Sequence, residues 1–105
     1  MATELSEPFA EHLDEVIRRH DAALEACGFD AVVIPAGRPT PYHRDDIAPP
    51  FRADPRFRLW CPAEPGDGSC VVHVPGRRPV LAFHQPRDFW HLAPERPSGF
   101  WAARF

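Results

Sequence analysis

Residues 42–60, YHRDDIAPPFRADPRFRLW, hold the densest group of chemistry-bearing side chains: His43, the adjacent carboxylates Asp45 and Asp46, then Arg52, Arg56 and Arg58. An imidazole beside two carboxylates is a donor set that suits manganese, zinc or iron. A stable site, however, needs three or four convergent ligands, and neighbouring side chains of an extended segment point to opposite sides. The simpler role for the two aspartates is to cap turns or to pair with Arg44 and Arg52, and this reading is preferred for Asp45.

The remaining candidates are no more complete. His73, His84 and His91 lie on or after a predicted hairpin, where two of them could meet across strands, although isolated histidines on strand faces are ordinarily packing or surface residues. A Cys70–His84 nucleophilic pair is geometrically possible, but nothing nearby in the sequence would lower the thiol pKa. Ser6, Ser69 and Ser98 are the serines, and none stands in a nucleophile elbow. Phe89 and Trp90 could stack on a ligand, with packing beside the hairpin the favoured role. No phosphate loop is present. The residues therefore assign no catalytic group and no metal ligand to this chain.

The elements that would position these groups are bounded first by size. A chain of 105 residues supports one domain with a single core. Its 44% hydrophobic and 26% charged content is that of a soluble globular protein, whereas 14 prolines predict long, stiff loops. All 12 basic residues are arginine. Charge is uneven: residues 1–34 hold eight acids and two arginines, and the rest seven acids and ten arginines. The positive surplus forms no stripe, which argues against nucleic-acid binding. No apolar run is long enough to cross a bilayer and the acidic start is unlike a signal peptide, so a cytoplasmic protein with no membrane association is expected. Cys27, Cys61 and Cys70 show no C-x-x-C spacing and are expected to be small buried hydrophobes.

From Ser6 to Cys27, Phe9, Leu13, Val16, Ile17, His20, Leu24 and Cys27 recur at helical spacing. Ser6 is the expected N-cap, Pro8 is tolerable in the first turn, and Gly28 is a natural stop. DAVVIP, residues 30–35, is expected to be a strand buried on both faces. Six prolines make residues 35–55 a loop. Phe57, Leu59 and Cys61 alternate with Arg58 and Trp60, which predicts another strand. CVVHV and PVLAFH flank PGRR as a β-hairpin. After Pro86, RDFWHLAP is expected to form one helical turn or an aromatic-rich loop. The aromatic-crowded ending, SGFWAARF, predicts a truncated or excised domain, since large aromatics are costly to leave in water.

In order, the DD pair, PF, PRFRLWCP, the hairpin, QPRDFWH and SGFW resemble the start of bacterial Xaa-Pro dipeptidases, the prolidases, relatives of the organophosphorus acid anhydrolases. The resemblance begins at AEHLDEVIRRHDAALEACGFDAVVI and reaches Trp101; its most specific pieces are DDIAPPFRADPRFRLW and PRDFWH.

That resemblance implies an α/β fold of the creatinase N-terminal type, a mixed β-sheet with flanking helices. Residues 1–105 would be a single N-terminal domain, and the catalytic pita-bread domain, with two Mn ions and all their ligands, would lie outside this chain. It further implies a homodimer partner alongside the chain's own C-terminal catalytic domain, and an X-Pro dipeptide as substrate. Asp46, the second acid of the pair, matches an aspartate that reaches the partner's active site to meet the substrate amine, and Trp90 matches a residue lining the same site. HRDD departs from the more apolar residues that precede the family's acidic pair. The competing expectation is an independent α/β binding or structural module without peptidase activity.

Overall fold

The structure is a computed structural model and describes residues 2–44, 46–63, 66–90 and 92–105. Its first element is a long helix, α1 (Ala2–Cys27), whose buried stripe is Leu13, Val16 and Leu24. The helix starts before the expected cap, so that Ser6 and Pro8 lie inside it. A proline this near the start removes only a bond to the turn before it, and the long amphipathic body beyond it holds the helix. The stop is as expected. Gly28 adopts φ +74, its N–H bonds the Glu25 carbonyl at 3.3 Å, and the Phe29 N–H bonds the Leu24 carbonyl at 3.0 Å. This paired pattern satisfies carbonyls that the last turn leaves free. Cys27 is exposed, unlike buried Cys61, because the helix has by then run past the core.

Three strands follow: β1 (Val32–Pro35), β2 (Cys70–His73) and β3 (Val80–Ala82), in spatial order β1-β2-β3 with both pairings antiparallel. The hairpin expected around PGRR is β2–β3. Ile34, Val71 and Leu81 are opposite one another and face the core. The alternate row Val33, Val72 and Val80 faces away, with Val33 59% and Val80 58% exposed. Strand β1 is therefore buried on one face and not on both, since helices cover only one side of the sheet. Nothing on the outward face of the three strands is charged: its other members are Pro35, Cys70 and Ala82.

Residues 55–60, expected as a strand, form a short helix, α2 (Pro55–Trp60). Asp54 caps it by accepting the Arg56 N–H at 2.8 Å, and Pro55 occupies a first-turn position where its missing N–H costs nothing. Phe57 and Trp60, three apart, turn inward to full burial, whereas Leu59 stays exposed. Together with Leu13, Val16, Ile34, Val71 and Trp101 they form the core. His12 Nε2 donates to the Leu59 carbonyl at 2.7 Å and fastens α1 to α2. The terminal aromatics are packed: Trp101 is buried, Phe105 meets it edge to face at 6.1 Å, and Arg78 bonds the Phe105 carbonyl at 2.9 Å. A 3-10 turn, Ala102–Arg104, shapes this segment. No helix of the described residues is long and apolar enough to cross a membrane.

Candidate functional site

Strands β1 and β3 end, and β2 begins, at the same edge of the sheet, where Pro35, Cys70 and Ala82 are in register. The proline-rich loop, residues 36–54, and the aromatic segment that starts at residue 83 both depart from this edge. A two-residue bracket, Gly68–Ser69, holds their roots. The Gly68 N–H donates to the Gly37 carbonyl at 2.8 Å and the Ser69 carbonyl accepts the Ala36 N–H at 2.9 Å. The Ser69 hydroxyl accepts the His84 N–H at 2.8 Å. Gly68 also lies close to the His84 ring: a Cβ added there would stand 2.7 Å from His84 Cδ2. Its φ of +76 is a conformation that glycine reaches without strain.

The first loop is closed twice. At its base the Asp54 N–H bonds the Ala36 carbonyl at 2.9 Å, and near its tip the Tyr42 N–H bonds the Ile47 carbonyl at 2.9 Å. Between these, Arg44 takes a left-handed φ of 58, which reverses the chain. Asp46 sits in that reversal with its side chain exposed, alongside exposed His43 and Ile47. Asp45 lies outside the described residues.

The second segment is also tied, by Gln85 Nε2 to the Pro94 carbonyl at 3.0 Å. At its tip the Asp88 carboxylate accepts the Trp90 N–H at 2.8 Å, a turn that points the aromatic pair outward. Phe89 and Trp90 meet edge to face at 5.1 Å and are 89% and 83% exposed. The expectation that they pack beside the hairpin is thus overturned. The segment forms no helical turn among the described residues, and the core space is filled by Trp60 and Trp101 instead. The loops thus present an exposed carboxylate and an exposed indole from a common edge of the sheet, one suited to a cation and the other to stacking.

The histidine candidates do not assemble. His73 is at the turn end of β2, fully buried, with Nε2 2.6 Å from Asp21 Oδ1. His84 is at the opposite end, and His91 lies outside the described residues. No hydrogen bond or ion pair joins Cys70 to His84 among the described residues. The Cys61 thiol is pushed up to about 11 by burial, which disfavours its thiolate. Among the described residues no three His, Cys, Asp or Glu side chains come together as a metal would require, so a manganese pair has no fit here.

The sequence reading missed the bracket and the His73–Asp21 contact. GDGS hinted at the first through its turn-forming glycines. The second joins residues 52 apart and has no local signal.

A family profile, Xaa-Pro dipeptidase, N-terminal domain, matches residues 7–105. The chain belongs to that family. It is 39% identical over 97 residues to an Xaa-Pro dipeptidase of Stenotrophomonas maltophilia strain R551-3, covering 92% of this chain and 22% of that protein. An Xaa-Pro dipeptidase of Xanthomonas campestris pv. campestris strain B100 is 41% identical over the same shares. The chain thus spans about 22% of the length of the curated relatives it matches.

Proposed function

We propose that this chain is the non-catalytic N-terminal domain of a metal-dependent Xaa-Pro dipeptidase, a single unit over residues 1–105 that works with a separate catalytic domain. The observation that carries this reading is the profile match over residues 7–105 combined with the short share of each relative covered. In this reading the two manganese ions and the bond-breaking step belong to the catalytic domain, in a cytoplasmic homodimer. This chain supplies substrate recognition.

Asp46 is the recognition group. Its exposed carboxylate, held at the tip of a doubly closed loop, is free to meet the ammonium of an X-Pro dipeptide from the partner subunit. A charge-assisted bond of this kind is roughly twice as strong as a neutral one. The same contact sets the length limit, because an acylated amine would leave the carboxylate desolvated and unpaired. Prolines 39, 41, 49 and 50 leave the loop little freedom to lose on binding. Trp90 adds an apolar wall beside the substrate.

The test uses the polypeptide that joins this domain to its catalytic domain. Asp46→Ala is expected to raise KM for an X-Pro dipeptide by about tenfold or more, an interaction of about 1.4 kcal/mol, and to narrow the preference for free over acetylated substrate. Wild-type enzyme that hydrolyses free and acetylated substrates equally would remove the proposal.

A further inference from the structure

We infer that the root of the 36–54 loop is a binding site for a small oxyanion, a phosphate or carboxylate group, held between Arg38 and Arg52. The inference goes beyond the dipeptidase reading and does not depend on it. A cleft of about 390 Å³ opens there, lined by both arginines, by Thr40 and by prolines that include Pro39, Pro49 and Pro50.

Charge makes the case. Both guanidinium groups are exposed, and neither has an acidic partner among the described residues. The acid in the lining, Asp54, is already engaged: it accepts the Arg56 amide at 2.8 Å, Arg56 Nε at 3.1 Å and Arg56 Nη2 at 3.3 Å. The Arg56 amide and guanidinium accordingly hold its carboxyl below the usual range. With the Asp54 charge matched by Arg56, the two positive charges that share this concavity have no ion-pair partner among the described residues. Arginine presents a planar fork that matches the oxygens of a carboxylate or phosphate, and two forks converge on one such group more readily than on two.

The walls add selectivity. Prolines contribute no amide donors, so the side-chain donors of the cleft are the two guanidinium groups and the Thr40 hydroxyl. The bond from Asp54 to Ala36 closes the base and keeps Arg38 and Arg52 on facing arms of the loop. A compact anion fits this arrangement. An extended polyanion calls for a longer basic track than the two arginines that line this cleft.

The 15N-labelled chain, titrated with inorganic phosphate at constant ionic strength, tests the site through its arginine Nε–H signals. The Arg38 and Arg52 signals are expected to shift and saturate with Kd on the order of 1 mM. Arg38→Gln combined with Arg52→Gln should weaken binding at least about tenfold, and the Lys pair, which keeps charge but loses the fork, should fall between. A parallel titration with sodium acetate separates the sources: tighter phosphate assigns a phosphate ligand, tighter acetate a carboxylate. Shifts that never saturate and spread equally to Arg77, Arg78 and Arg104 overturn the inference. So does unchanged affinity in the glutamine variant, or a Lys variant equal to wild type.

Discussion

Asp21 on α1 and His73 on β2 meet with 2.6 Å between Oδ1 and Nε2, the imidazole wholly enclosed and the carboxylate about one-third exposed. The contact joins the long helix to the central strand from within the core. Among the described residues His73 Nδ1 has no hydrogen-bond partner, and neither does the buried Trp60 Nε1, although the two rings are only 5.3 Å apart between centroids. Among the described residues, Asp21 thus provides the single hydrogen bond of this imidazole.

Asp21→Ala leaves both ring nitrogens of His73 buried and unpaired, a loss of about 1–3 kcal/mol. Asp21→Asn keeps an acceptor and should lose less. Urea unfolding of the two variants distinguishes them; equal destabilisation would mean that the charge, and not the hydrogen bond, is what His73 uses.

Trp60 yields a contrast between two substitutions. Trp60→Ala opens a large cavity in the fully buried core and should cost about 3–5 kcal/mol. Trp60→Phe removes the unpartnered N–H together with part of the volume, so its cost should be markedly smaller. Thermal melts of the two variants supply the comparison.

At the bracket, Gly68→Ala places a methyl against His84 and forces a side chain into φ +76, for a combined cost of about 1–3 kcal/mol. His84→Ala should relieve the collision but not the backbone strain. A double-mutant cycle is expected to return partial recovery. Full additivity would mean that the ring moves aside freely.

Glu15 shows a pH effect of defined sign. Bonds from Arg18 at 2.6 Å and 2.8 Å and from Arg19 at 2.9 Å hold its carboxyl at about 2, below its ordinary 4.5. A lowered folded-state value means that the stabilisation is complete above about 4.5 and is lost as pH falls through about 2. The groups are exposed, so the effect is small and weakens with salt. Comparing urea midpoints of Glu15→Gln and wild type from pH 5 to pH 2, the wild type should lose more of its stability as acid is added.

The thiols should differ in reactivity. In native protein at pH 8, iodoacetamide should modify exposed Cys27 and leave Cys61 intact, because burial raises the Cys61 thiol to about 11. Mass spectrometry of the digested product locates the label.

These contrasts also show where sequence and structure part. The body of α1 and the β2–β3 hairpin are legible because each repeats one period over enough residues, with glycine or proline at the ends. Residues 55–60 are too short for that: Phe57 and Leu59 suit a strand, while Phe57 and Trp60 suit a helix. Asp54–Pro55, a cap followed by a first-turn proline, is the signal that decides for the helix. Trp90 misled for another reason. An aromatic residue is ordinarily assigned to a core, yet the Asp88 carboxylate turns the backbone so that the indole points away. Asp46 is legible as an acidic loop residue, but its exposure depends on closures from Ile47 to Tyr42 and from Ala36 to Asp54, which no local pattern encodes.

The uncharged row Val33, Val72 and Val80 also bears on how this polypeptide behaves in solution. A bare valine surface across three strands, flanked by open strand edges, invites self-adhesion wherever nothing shields it. Light scattering by the isolated chain should therefore climb steeply with concentration, and a lysine in place of Val33 or Val80 should keep it dispersed.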